Sequence, residues 1–483
     1  MGLAGILLGL ALLVWLSFRG WTVLLLAPAG ALVAAAAAGE PLLAHWTLTF
    51  MNAAAGFLAQ FFPLFLLGAV FGKLMEDSGS VAAIANFMTA KLGAQRAILA
   101  IVLAGALVTY GGVSLFVAFF VLGPMAQALF RAADVPSRLM PAAIALGTST
   151  FTMSALPGTP AIQNAIPMPF FGTTPFAAPG LGIVASAIML GFGLWWLARA
   201  EAKARRAGEG YGGAAVAADA AAEDPLVRER ATTASSFDPP EARRGRPAAA
   251  APGAFAAMAP LVVVVLVNLT MSMLVLPRLD TSFLAAEAWG GVPLASVSGI
   301  WSVVVALLAA ILAVLAINRG RLAALRETID AGANASVLPV LSVASLVGFG
   351  AVVAAMPAFA LVRDWVLSIG GGPLVSLAVA TNILAALTGS ASGGMTIALD
   401  ALGGTFMEIA ATQGLDPALL HRVAVMSAGT LDSLPHNGAV VTLLAVCGAT
   451  HRTSYFDIVM AAIVGPILAL VAVIVLGTMF GSF

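Results

Sequence analysis

A single cysteine, Cys447, in a chain of 483 residues excludes an internal disulfide and any metal site built from several thiolates. Charge is almost as scarce. Lys, Arg, Asp and Glu make up 9% of the chain and cancel, 22 against 22, which offers no basic surface to nucleic acid. No basic n-region precedes the first apolar run, so Gly2–Phe18 reads as a first helix and not as a cleaved signal peptide. No cofactor and no resident metal are expected.

What is abundant is apolar surface: 61% of residues are hydrophobic and the mean hydropathy is +1.03. A soluble core of this size does not need that; a polytopic helical membrane protein does. The charges are also unevenly spread, with 17 of the 44 between Arg199 and Arg246. Residues 199–253, rich in Ala, Pro, Glu and Arg, therefore read as a mobile linker between two membrane halves, 1–198 and 254–483. Nine Arg and Lys in that linker place it in the cytoplasm by the positive-inside tendency, and the protein in a bacterial inner membrane.

A short signature occurs in both halves. Tyr110-Gly111-Gly112-Val113-Ser114-Leu115 returns as Ser392-Gly393-Gly394-Met395-Thr396-Ile397, 282 positions on (392 − 110). Ser154-Ala155-Leu156-Pro157-Gly158-Thr159 returns as Asp432-Ser433-Leu434-Pro435-His436-Asn437, 278 positions on (432 − 154). Breakers recurring at matching places in two apolar halves point to a secondary transporter with its site at broken helices between repeats.

The expected fold is all-α: two inverted repeats, each with three spans, a re-entrant hairpin, a broken helix and a final span. In the first half the spans fall near 2–18, 20–38 and 48–72. An amphipathic stretch at 80–92, hairpin arms at 97–109 and 113–130, a helix at 139–155 and a last span at 178–198 follow. Pro157, Pro160, Pro167 and Pro169 cannot all sit in one regular helix, so the chain must break there. In the second half the spans fall near 254–276, 298–317 and 336–362. Hairpin arms at 373–388 and 395–411, a broken helix at 419–447 and a final span at 456–480 complete it. Five crossings separate the two hairpins, and an odd number inverts one half relative to the other. Most Arg and Lys agree, with Arg363 and Arg422 left on the outer face.

A half-helix starting at membrane depth points unpaired N–H groups and a partial positive charge inward, which suits a carboxylate. Glycines let the backbone approach it, and hydroxyls and amides can bond the rest of a small polar acid. The candidate substrate residues are Tyr110, Gly111, Gly112, Ser114, Thr152, Ser154, Gly158, Thr159 and Asn164 in the first half. Those in the second are Ser392, Gly393, Gly394, Thr396, Thr430, His436 and Asn437. For any one Ser or Thr the competing reading is a hydroxyl bonded to its own helix carbonyl. Acids at membrane depth are rarer, and an acid removed from water can exchange protons nearer neutrality. Asp432, with His436, is accordingly the proton-coupling candidate; a helix cap for the segment after Pro435 is the alternative. Asp400 and Glu408 lie on the second hairpin arm, and Glu76 and Asp77 read as interface charges.

Several runs carry a family likeness. Phe71-Gly72-Lys73-Leu74-Met75-Glu76-Asp77-Ser78-Gly79, the Tyr110–Ser114 tip and Leu434-Pro435-His436-Asn437-Gly438-Ala439 resemble the gluconate permease (GntP) family of the ion-transporter superfamily. The likeness covers all but the linker and is strongest to permeases for short hydroxy acids of the 3-hydroxybutyrate type. It implies proton symport, a homodimer and elevator-like movement of the hairpin domain. The expected partners are thus a small carboxylate, protons and the lipid bilayer. Gluconate- or citrate-type acids, or sodium coupling through broken-helix oxygens, are the alternatives. An intramembrane hydrolase using Ser433 and His436 fits poorly, because the mirrored Ser154 has Gly158 where His436 stands.

Overall fold

The structure is a computed structural model that describes residues 2–19, 21–212, 244–435 and 437–483. The centre of the linker and the roles expected of His436 lie outside the described residues. Within them the chain is helical throughout, with no strand. That follows from the apolar runs, because at membrane depth each backbone N–H and C=O must be satisfied inside its own segment.

The first half comprises α1 (Gly2–Phe18), α2 (Val23–Ala38), α3 (Leu42–Asp77), α4 (Ser80–Leu92), α5 (Ala97–Tyr110) and α6 (Leu115–Ala132). Then come α7 (Met140–Thr148), three short pieces, α8 (Phe151–Ser154), α9 (Ile162–Ala165) and α10 (Pro167–Phe171), and the long α11 (Pro179–Arg206). The second half comprises α12 (Ala254–Arg278), α13 (Leu294–Ile317), α14 (Leu325–Ala355), α15 (Phe359–Leu367), α16 (Pro373–Thr388) and α17 (Ala391–Gln413). It closes with α18 (Pro417–Ala428), α19 (Gly438–Cys447) and α20 (His451–Phe480).

Among the described residues seven helices (α3, α6, α11, α12, α13, α14 and α20) are long and apolar enough to cross a membrane. An eighth candidate is the pair formed by α4 and Ala94–Tyr110, bent by 105°. α1 and α2, at 17 and 16 residues, are shorter apolar helices. Prolines inside α2, α3, α6, α12 and α14 are carried without ending those helices, as neighbouring helices allow in a bilayer.

The most extensive helix pairing is α3 against α14. Glycines bring them together: Gly332 of α14 lies on the backbone of Val70, and Gly348 on the ring of Phe50. α1 pairs with α2 and α12 with α13; α2 then packs on α14 while α13 packs on α3. A second group of contacts joins α5 to α7, α16 to α17 and α18, α6 to α19, and α11 to α20.

Three expectations are corrected here. α11 runs eight residues past the expected boundary at 198 (206 − 198), because Glu201 and Arg205 pair along its last turns at 2.7 Å. Gly393 and Gly394 do not form the second tip; they lie in the first turn of α17. The turn itself is Gly389–Ser390, where Gly389 takes a left-handed φ of 64° and Ser390 caps α17 by accepting from the Gly393 N–H at 3.1 Å. Finally, α7 stops at Thr148, well before the prolines, where Thr150 leaves helical geometry at φ −118° and ψ −109°.

The described flanks of the linker are anchored. Glu209 pairs with Arg138 at 2.8 Å, and the Tyr211 N–H donates to Asp134 at 2.9 Å. On the other side Ala248 N–H donates to the carbonyl of Asp77 at 2.7 Å.

Candidate functional site

α5 and α6 meet at the turn 111–114, which needs glycine. Gly112 has φ +97°, and a side chain there would meet Pro160 at 2.7 Å. Ser114 then caps α6, its hydroxyl oxygen accepting from the Phe116 N–H. The break after α7 folds back on this turn. The Tyr110 hydroxyl donates to the carbonyl of Pro157 at 2.9 Å, and Gly111 rests against Leu261 of α12.

Between them lies a cavity of about 60 Å³. Leu64, Phe65 and Gly68 of α3 form one wall, Gly112–Leu115 a second and Pro160–Gln163 a third, with Thr109, Thr148 and Met153 completing it. Among the described residues the lining contains no ionisable side chain. That is room for a few water molecules.

Two of the expected substrate residues, Gly112 and Ser114, line this cavity, and Tyr110 and Gly111 support it. Others hold the break together. Thr152 of α8 donates to the carbonyl of Gly147 in α7 at 3.1 Å, and Ser154 to that of Thr150 at 3.1 Å, so these hydroxyls bond nearby backbone across and within the break. Gly158, at φ +80°, offers its carbonyl to Asn268 of α12 at 3.0 Å. Thr159 accepts from the Ala161 N–H, and Asn164 donates to the carbonyls of Thr159 and Pro175 at 3.1 and 3.0 Å.

The second tip and second break are clasped directly to each other. The side chain of Asn437 donates to the carbonyl of Gly389 at 2.8 Å while its oxygen caps α19. Thr430 bonds Asn382 of α16, and also the carbonyl of Ser427 at 2.8 Å. Ser392 lies 3.3 Å from the Ser390 hydroxyl, and Thr396 donates to the carbonyl of Ser392 at 2.7 Å. Gly394 abuts the backbone of α16 at Ala385. Asp432 is buried, and its carboxylate lies 3.4 Å from the Ser433 hydroxyl. The cap expected of Asp432 for the segment after Pro435 is therefore made by Asn437 instead. No described residue of the second half lines the first cavity, although the two breaks touch where Gly429 packs on Ser154.

Sequence reasoning placed Arg422 on the outer face, but the structure buries it completely. Its guanidinium donates to the carbonyl of Ala177 at 2.5 and 3.2 Å and to that of Ser154 at 3.4 Å, tying α18 to the first break. Beside it the buried His421 ring lies 2.6 Å from the Thr173 hydroxyl and 3.2 Å from the Asn164 side-chain oxygen. A His-Arg pair inside the apolar run of α18 was the available signal. Asp77 is likewise no interface charge: it is fully buried, 2.8 Å from Lys73, and accepts from Thr328 of α14 at 2.7 Å. Asp400 and Glu408 are exposed. Gln163 was missed altogether, since nothing in its local sequence distinguishes it from a polar surface residue.

Among the described residues seven or eight helices long and apolar enough to cross, with two interrupted helices that touch, define a multi-pass helical membrane protein built around broken segments. The chain matches the family described as "Citrate transporter" (CitMHS) over residues 10–290, more than half its length. It is also 41% identical over 460 residues to the "Uncharacterized transporter YxjC" of Bacillus subtilis (strain 168), with 94% of each chain covered. The chain belongs to the CitMHS citrate-transporter family and is a membrane transporter.

Proposed function

We propose that this transporter carries a small, singly charged hydroxy acid of the 3-hydroxybutyrate type together with protons. The observation that carries this reading is the lining of the first cavity: neutral hydroxyls and an amide beside the start of α6 and, among the described residues, no ionisable side chain. The helix start supplies partial positive charge for one carboxylate. A triply charged acid would have no cationic group to meet there, since buried Arg422 is committed to the carbonyls of Ala177 and Ser154. The family description favours the second reading, a citrate-type acid.

Asp432 is the coupling group in this proposal. Its carboxylate is buried in the second break, 3.4 Å from the Ser433 hydroxyl, so gaining or losing a proton there changes the charge inside that break. Sodium held by the same oxygens is the competing mechanism. The inverted repeat is supported by reciprocal packing, α2 on α14 and α13 on α3, and by the capping serines. Ser114 and Ser390 stand 276 positions apart (390 − 114), close to the 278 of the breaks. Elevator movement, the homodimer, the inner-membrane location and the gluconate permease resemblance with its 3-hydroxybutyrate branch belong to the same proposal.

The test is uptake of radiolabelled 3-hydroxybutyrate into proteoliposomes under an imposed proton gradient without sodium. Acid-driven accumulation is expected. Accumulation of citrate alone would overturn the substrate, and uptake only with sodium would overturn the coupling ion.

A further inference from the structure

Gln163 is 5% exposed and lines the first cavity, and its side-chain amide has no hydrogen-bond partner among the described residues. Its amide atoms are not among the fully enclosed polar atoms that lack a partner, so they keep contact with the space of the cavity and are free to hydrogen-bond whatever occupies it. The other polar side chains of the lining each already make at least one hydrogen bond. Thr109 donates to the carbonyl of Gly105 at 2.8 Å, Thr148 to that of Ile144 at 2.8 Å, and Ser114 accepts from the Phe116 N–H.

Gln163 is also held in place. Its neighbour Asn164 is fixed to Thr159, Pro175 and His421. Next to this anchored residue, Gln163 presents an uncommitted amide to the same cavity that the start of α6 lines. An amide offers both an acceptor and two donors, which is what a hydroxyl next to a carboxylate requires.

We propose that Gln163 is the specificity-determining residue that reads the hydroxyl of the transported acid, its carbonyl oxygen accepting the hydroxyl proton while the start of α6 faces the carboxylate. This rests on the carrier reading of the same cavity. A site built to bond a hydroxyl rejects the analogue that lacks one, because the site's own polar group is then stranded.

The experiment compares uptake of two hydroxy/deoxy pairs, 3-hydroxybutyrate with butyrate and citrate with tricarballylate, by wild-type protein and Gln163→Met in proteoliposomes. The expected result is a wild-type preference for the hydroxy acid of whichever pair is carried, reduced about tenfold or more in Gln163→Met, with uptake of the deoxy acid little changed. A preserved preference in Gln163→Met overturns the role of Gln163, whichever pair is carried. Uptake of the citrate pair alone overturns the monocarboxylate reading while a collapsed preference still supports Gln163. Uptake of none of the four acids overturns both. If Gln163→Met does not reconstitute, Gln163→Glu keeps the shape and adds a negative charge facing the carboxylate. It is expected to lose uptake of both acids of the pair, and undiminished uptake overturns the proposal.

Discussion

The Tyr110 hydroxyl donates to the carbonyl of Pro157 at 2.9 Å, across 47 positions of sequence, and so fixes the first hairpin turn to the first helix break. This bond sets one wall of the cavity relative to another. Tyr110→Phe removes it and leaves the Pro157 carbonyl without this donor, at a cost of about 1 kcal/mol. The expected outcome is weaker apparent affinity by about fivefold to tenfold, with maximal uptake near wild type. Concentration-dependent uptake checks it, and unaltered affinity would separate the turn from the site.

Gly112 leaves no room for a side chain. Its φ of +97° and the approach of Pro160 make Gly112→Leu strained in backbone and in space. Uptake should be abolished while the protein still elutes as a single species in detergent. Normal transport would remove the turn from the substrate path.

Asp432→Asn keeps the size of the side chain but removes its charge and its capacity to exchange a proton. Downhill exchange of labelled substrate should persist, whereas accumulation against a gradient under proton drive should be lost. Equal accumulation in mutant and wild type would exclude Asp432 from coupling.

Lys73 and Asp77 are both buried, 2.8 Å apart. Lys73→Met strands a buried carboxylate and should destabilise the protein by roughly 3–5 kcal/mol. Thermal unfolding in detergent should show a large drop, with substantial recovery in the double variant Lys73→Met/Asp77→Asn. A single variant as stable as wild type would show that the pair is not structural.

The linker's described flank touches the same acid. Gly245 has φ +99°, and a side chain added there would run into Asp77. Gly245→Val should therefore lower thermal stability, whereas a substitution at the exposed Gly208 to Asn should not. Equal melting temperatures for Gly245→Val and wild type would count against this packing.

The helices were legible because their cause is local. Apolar runs ended by Gly39, Gly389 and Gly414 in left-handed caps set α2, α16 and α17 within a few residues of expectation, and Gly448 closes the broken helix expected at 419–447. The hairpin turn at Gly111–Gly112 and the proline-rich break were visible for the same reason. The second turn was misplaced because its Ser-Gly-Gly run matches the first tip in composition while Ser390 has already capped a helix through it.

Sequence alone determined the class: a nearly uncharged, apolar chain with two sets of helix breakers can satisfy its backbone only as a bundle of membrane helices with interrupted segments. Only the tertiary structure decided which polar groups are spent. It committed Thr152, Ser154 and Asn164 to the break, buried Arg422 on two carbonyls, paired Lys73 with Asp77 and left Gln163 open to the cavity. Hydrogen-bond partners from distant parts of the chain are assigned by packing, and no local pattern carries that information.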